Sequence, residues 1–214
     1  YNKKELDSVG FKSTKVIPLL MDFSKKNITH FNNEIINKNS HTFNIIFVGR
    51  IVQNKCQHQL IEVAYLLKQK GFNFKLFIIG GISQVDYYSF LINYINNLSL
   101  NNEVILTGKL NDNDLASYYK NSDLYLSLSD HEGFGIPLIE AMKYDTPVLA
   151  FNTCAIETTI SSLGLLEKKS ASYVTNKILE LLDNPIQKVQ LLKEQKKILE
   201  NFDYNLIKNN FKKY

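Results

Sequence analysis

The segment Asp123 to Phe151, DLYLSLSDHEGFGIPLIEAMKYDTPVLAF, holds the reading on which the fold turns. DLYLSLS is an apolar run of strand length. SDHEGFG is a glycine-bearing loop. IPLIEAMKYD has helical periodicity, with Pro137 at the place where a first helical turn accepts proline. PVLAF is strand-like again. Strand, loop, helix and strand in that order form the crossover that joins parallel strands. The loop also sets Glu132 and Glu140 eight positions apart around a Gly-Phe-Gly turn, which a core helix does not need.

The same alternation extends in both directions. Upstream, FNIIFVG (43–49), FNFKLFIIGG (72–81) and EVILTG (103–108) read as strands. Between them lie a helix with Leu60, Ala64 and Leu67 on one face and Gly71 as its stop, and a helix carrying Tyr88, Leu91, Ile95 and Leu98. Ser83 and Asp86 resemble a capping box for the second of these. NDNDLASYYKNS is a short helix. Downstream, GLL near Leu165 is a sixth strand. Apolar runs without alternation suit strands buried on both faces, so the fold class is α/β, a doubly wound parallel sheet of Rossmann-like type. After Ser170 the pattern is helical. Val174, Ile178 and Leu181 share a face, Asn184-Pro185 opens another helix, and Tyr204, Ile207 and Phe211 mark a last one. The domain reading is residues 1–40 as a linker, including KVIPLLMD (15–22), 41–200 as the sheet domain and 201–214 as a C-terminal helix.

Composition narrows the function. The 214 residues carry a formal net charge of +4, too weak a basic balance to indicate nucleic acid. Cys56 and Cys154 have neither metal nor CxxC spacing and read as reduced thiols of a cytoplasmic protein. No uncharged apolar run reaches the ~18 residues of a spanning helix. The lysines at 188, 193, 196, 197, 208, 212 and 213 read as a solvated face, with anionic lipid as the alternative. The chain starts at Tyr1, which suggests a fragment of a longer protein.

In an open parallel sheet, ligands sit at the carboxyl ends of the strands. Four places qualify: Gly49-Arg50 through Lys55, Gly80-Gly81, Gly108-Lys109-Leu110, and Ser129 to Gly135. The helix at Ile136 has no Ser, Thr, Asp or Asn before it, so its unpaired N–H groups suit a phosphate, and Gly133 and Gly135 allow close approach. A plain glycine-capped turn is the alternative. Arg50 and Lys55 suit a diphosphate or are surface charge. Glu140 can accept two vicinal hydroxyls or simply favour the helix dipole. His131 is a general base or polar surface. Neither a GxGxxG nor a Walker lysine motif is present, which argues against NAD and P-loop chemistry.

HEGFGIPLIEAMKYDTPVLAFN closely resembles the signature of family-4 retaining glycosyltransferases of GT-B fold. FVGRIVQNKCQHQLIEVA, VILTGKLNDNDLASYYKNSDLYLSLS and LGLLEKKSASYVTNKILELLDN resemble further segments of that family, and KVIPLLMD its interdomain linker. Cys56 stands where the family usually has glycine after the lysine, GGI replaces its G-x-G, and Ile156 replaces its proline. The resemblance implies the C-terminal, donor-binding half of a two-domain enzyme whose N-terminal acceptor domain is absent here. It implies that Arg50 and Lys55 hold the donor diphosphate, joined by backbone N–H groups near Ile136 to Leu138, the turn that includes Pro137. Glu140 takes the ribose, and Glu132 with Gly133, Phe134 and Gly135 faces the donor sugar. The backbone at Lys109 and Leu110 lies against the base, and Gly49 and Gly80 line the same strand ends. Glu132, Arg50 and Lys55 carry the catalytic expectation. A nucleotide-sugar, UDP-sugar favoured, is substrate rather than cofactor, and neither cofactor nor metal is expected. The acceptor would be a glycan or lipid-linked glycan, in a bacterial polysaccharide setting, in the cytoplasm or peripheral at the inner membrane face. The alternatives are a non-catalytic nucleotide-binding or interaction module, a GT-B epimerase, and a flavodoxin-like signalling domain, the last of which wants acidic rather than basic strand ends.

Overall fold

A computed structural model describes residues 2–14, 28, 36 and 41–211. Six strands form one sheet: β1 (Phe43–Val48), β2 (Phe74–Ile79), β3 (Val104–Gly108), β4 (Leu124–Ser127), β5 (Val148–Phe151) and β6 (Leu165–Leu166). Their order is β3-β2-β1-β4-β5-β6 and every pairing is parallel. The chain therefore winds outward from β1 to β3, then returns to lay β4 beside β1. The connections leave β1 and β4 in opposite directions, which opens a crevice between their carboxyl ends.

Helices α2 (Gln57–Gln69), α3 (Val85–Asn97) and α7 (Ala171–Asp183) cover one face. α4 (Asp112–Asn121) and α5 (Ile136–Lys143) cover the other. The strands alternate between the two cores. Ile45 and Phe47 enter the first and Ile46 the second; Leu124 and Leu126 enter the first and Tyr125 the second. Both side-chain sets are buried, so the strand sequences show no polar alternation. Leu60, Ile61 and Leu67 of α2 are wholly buried, each contributing roughly 2 kcal/mol of transfer free energy.

The remaining helices are α1 (Asn2–Ser8), α6 (Ile156–Thr159), α8 (Pro185–Glu200) and α9 (Tyr204–Phe211). Asn184 caps α8 as expected, its Oδ1 accepting the Gln187 N–H at 3.0 Å. Ile207 is buried and Tyr204 half-buried, while the Phe211 side chain and the KVIPLLMD segment lie outside the described residues. α1 falls within the span read as linker. It is polar and its described side chains are exposed, so it has no apolar stripe to betray it.

The capping box at Ser83 is not formed. Ile51 and Ile82 make a parallel bridge, and the Ser83 and Gln84 N–H groups both donate to Ile51 O. This extends the chain past Ser83, so α3 begins at Val85 with Gln84 at the cap position and no side-chain cap. Gln84 instead accepts the Gln53 N–H at 2.8 Å, tying the β2 exit to the β1 exit.

Gly80 is fixed by sterics. Its φ is 155°, and a Cβ there would stand 1.9 Å from Gly49 O. Its N–H donates to Gly108 O, while the Gly49 N–H donates to Ile79 O, so three strand ends meet at this point. Gly80→Ala is expected to destabilise the fold by about 2–4 kcal/mol. Gly81→Ala, where an added Cβ meets nothing within 4 Å, should cost under about 0.5 kcal/mol. Urea unfolding midpoints of the two variants check this, and equal shifts would contradict the contact.

Candidate functional site

The crevice is walled by the β1–α2 connection on one side and the β4–α5 connection on the other. The first wall is a short 3-10 turn, Gln53–Lys55, followed by Cys56 in a left-handed conformation at φ 53°. That conformation explains why glycine suits this position, and a side chain there costs on the order of 1 kcal/mol. Gln57, wholly buried, donates from Nε2 to Arg50 O at 2.8 Å and pins the loop.

Lys55 and Glu132 meet across the crevice. Lys55 Nζ lies 2.7 Å from Glu132 Oε1 and donates to His131 O at 3.1 Å. Glu132 is 8% exposed. Arg50, by contrast, is exposed, and among the described residues its guanidinium makes no ion pair. It borders a surface hollow with Val52, Gln53, Asn54, Gln84 and Asp130. The structure thus joins Lys55 to Glu132 and leaves Arg50 at the rim.

The loop 131–136 presents its backbone. Among the described residues, none of the six N–H groups from His131 to Ile136 donates a hydrogen bond. Gly135 takes φ 69° and caps α5 without a side chain. The expectation of donors from Ile136 to Leu138 is corrected in one respect. Pro137 has no N–H, and the Leu138 N–H is used by Gly135 O at 2.9 Å. Of that trio only Ile136 keeps an N–H open, and the other open donors lie upstream, through Gly133, Phe134 and Gly135. The Phe134 ring turns away to meet Phe202 edge-on at 5.8 Å, anchoring the loop against the start of the C-terminal segment. Consecutive unpaired N–H groups ahead of a helix form an anion-binding concavity.

Glu140 lies deeper, 9% exposed on α5, and its Oε2 accepts the Tyr119 hydroxyl at 3.1 Å. With Asp112, Leu115, Ala116 and Tyr119 it lines a small pocket beside the start of α4. Gly108 turns the chain at φ 72°, which leaves Lys109 exposed and packs Leu110 against the core beneath α5. Gly49 and Gly80 are accounted for by the close loop packing described above.

The sequence reading passed over Asp130, the tie of the whole site. Its N–H donates to Asn54 O, its Oδ2 accepts from Cys56 Sγ at 3.1 Å, and its O accepts from Thr153 Oγ1 at 2.7 Å. Lys169, after β6, pairs with Oδ1 and sits 4.5 Å above the Phe151 ring. Four strand-end loops converge on one residue. The hydrogen bond from Lys169, then that from Cys56, holds the Asp130 carboxyl below the ordinary range, while burial pushes the Cys56 thiol up. His131, exposed, pairs its Nδ1 with Cys154 Sγ at 3.2 Å. Among the described residues no group of three or more His, Cys, Asp or Glu side chains is arranged to hold a metal, and no helix is long and apolar enough to cross a membrane.

The switch-point crevice thus combines open amides, flanking cations and two carboxylates. Residues 29–200 match the family described as Glycosyl transferases group 1. This chain belongs to that family. It is 30% identical over 165 residues to the capsular polysaccharide biosynthesis glycosyltransferase CapM of Staphylococcus aureus, covering 74% of this chain and 42% of CapM. The Anabaena HepE structure in complex with UDP-glucose superposes with a TM-score of 0.81 at 20% identity, over 99% of this chain and 61% of HepE. The C-terminal domain of LpcC, a group 1 family protein of Francisella tularensis, gives a TM-score of 0.61 at 22% identity, over 79% of this chain and 86% of that domain. The Rossmann-like sheet is thus the GT-B type, and the chain spans less than half of CapM.

The Asp130 tie has a pH signature. A carboxyl held low in the folded state stabilises it above the unfolded value of about 3.9, and that contribution is lost as pH falls through the folded value. Lys169→Met is therefore expected to lower Tm most at neutral pH, with the gap to the native protein closing as pH drops through the carboxylate range. Thermal melts between pH 7 and 3 test this, and a gap that does not change with pH would contradict the tie.

Proposed function

We propose that this chain binds a nucleoside diphosphate sugar in the β1/β4 crevice and forms the donor half of a retaining, hexosyl-transferring enzyme. The observation that carries the reading is the run of six open amides at 131–136, beside Lys55 and within the same crevice as Arg50. Fixed dipoles and cations stabilise a leaving diphosphate without reorganising as its bond breaks. The bond from the anomeric carbon to the diphosphate oxygen gives its electron pair to that oxygen. An acceptor hydroxyl then adds from the same face and passes its proton to the departing phosphate.

Glu132 stands beside the diphosphate position, where a carboxylate stabilises positive charge developing on the sugar ring. Glu140, deeper and next to α4, is placed to accept the ribose hydroxyls, with Leu110 and Leu115 toward the base. Lys55, Arg50 and the loop amides meet the leaving-group charge, so the proposal calls on no resident metal. The complex of HepE with UDP-glucose supports a uridine donor. The acceptor, a glycan or lipid-linked glycan, would be held with an N-terminal domain, on the cytoplasmic side and at most peripheral to the membrane. Two carboxylates in the crevice favour transfer chemistry over a pure nucleotide-binding module.

Calorimetry with UDP, GDP and ADP tests the donor assignment. One nucleotide is expected to bind saturably, and Arg50→Ala and Glu140→Ala should each weaken it by ~10-fold or more, about 1.4 kcal/mol. Glu132→Gln should bind that nucleotide at least as well as the native protein while transferring sugar poorly. Unchanged affinity in the first two variants would place the nucleotide elsewhere.

A further inference from the structure

We propose that Tyr119 is a positioning residue for Glu140, and that it sets the preference of the site for ribose over 2′-deoxyribose. The inference rests on the reading of Glu140 as the ribose acceptor.

A carboxylate that must accept two vicinal hydroxyls has to be held at one rotation. Hydrogen bonds weaken steeply as their angle departs from linearity. The α5 backbone fixes the Glu140 Cα, but the three side-chain torsions beyond it need a further constraint. The Tyr119 hydroxyl supplies one by donating to Oε2 at 3.1 Å. It can do so only because Tyr119 is itself immobile. Its ring lies between Tyr125, at 6.2 Å and 25°, and Tyr144, at 5.7 Å and 11°. Its carbonyl accepts from Thr146 Oγ1 at 2.6 Å, and the residue is 1% exposed. Tyr125 in turn donates to Val48 O at 3.2 Å, at the end of β1. A stack of rings therefore runs from the switch point to the carboxylate. Burial first, and the neighbouring Tyr125 and Glu140 after it, push the Tyr119 phenol well above its ordinary range, so it remains a donor throughout the working pH of an enzyme.

The stack also separates two jobs within one side chain. The ring fills the core and the hydroxyl orients the carboxylate. Tyr119→Phe removes the second and keeps the first, which makes the inference testable apart from folding. Tyr119 lines the small pocket that Glu140 shares with Leu115 and Ala116, so the hydroxyl and the carboxylate it orients face the same hollow.

The test is calorimetry of the purified protein, Tyr119→Phe and Glu140→Gln with UDP, GDP and ADP, each beside its 2′-deoxy counterpart. Circular dichroism and Tm confirm that both variants fold. The native protein is expected to prefer one ribonucleotide over its deoxy form by ~10-fold, and both variants should bring that ratio within about twofold of unity. The affinity of Tyr119→Phe for the deoxy form should stay within about twofold of native. A ratio that collapses in Glu140→Gln and persists in Tyr119→Phe overturns the positioning role alone. Equal loss of ribo and deoxy binding in Tyr119→Phe also overturns it, because a merely structural role weakens both. A native protein with no ribose preference, or a preference indifferent to Glu140→Gln, overturns the reading of Glu140 and this inference with it.

Discussion

The site depends on the parallel pairing of β1 with β4, in which Ile45 faces Leu124 and Ile46 faces Tyr125. Once those two strands are neighbours, the chain after β1 must leave toward β2 and the chain after β4 toward β5. Among the described residues, side chains and loop amides line the space between the two exits. Arg50, Lys55, Glu132 and the 131–136 backbone are brought together by that topology, although the two loops lie far apart in the chain. The close packing of Gly49 against Gly80 and the convergence of four loops on Asp130 are the means by which the crevice walls keep their shape.

Within the crevice, the contact between Lys55 and Glu132 is the main electrostatic feature. Two opposite charges at 2.7 Å, both largely removed from water, recover in mutual attraction much of what their desolvation costs, and removing one partner is costly. The carboxylate thereby has a cation beside it in the absence of donor. On the proposed reading, an arriving diphosphate would compete for the same ammonium, and the three donors of a lysine would let it bridge both groups. Arg50 has no such engagement among the described residues. Arg50 is exposed at the rim of the crevice, while Lys55 is largely removed from water.

Much of the fold was legible because two-sided burial leaves unbroken apolar strands, and because Gly71, Asn184 and Pro185 punctuate helices in the usual way. The residues that line the crevice were legible as charges in the loops and the helix that follow β1 and β4, as with Lys55, Glu132 and Glu140. Asp130 and Lys169 were not, since their meaning lies in each other and they are 39 positions apart. Tyr119 read as one aromatic of a short helix, because its hydroxyl partner sits on the next one. Ser83 misled for the opposite reason. Its local pattern fits a cap, but the bridge between Ile51 and Ile82 claims that backbone first. The donor run near Ile136 to Leu138 came from the uncapped helix start and the resemblance together, but Pro137 has no N–H and the Leu138 N–H bonds Gly135 O, so the open amides lie mostly upstream.

The most direct measurement is amide chemical-shift mapping of the isotopically labelled protein, titrated with UDP and separately with inorganic pyrophosphate. Both ligands are expected to move the backbone amides of 131–136 most, with Lys55 and Cys56 following, and only UDP should also move Asp112 to Tyr119. Shifts concentrated elsewhere, for example along the lysine-bearing face of α8, with the 131–136 amides unmoved, would contradict the assignment of this crevice as the diphosphate site.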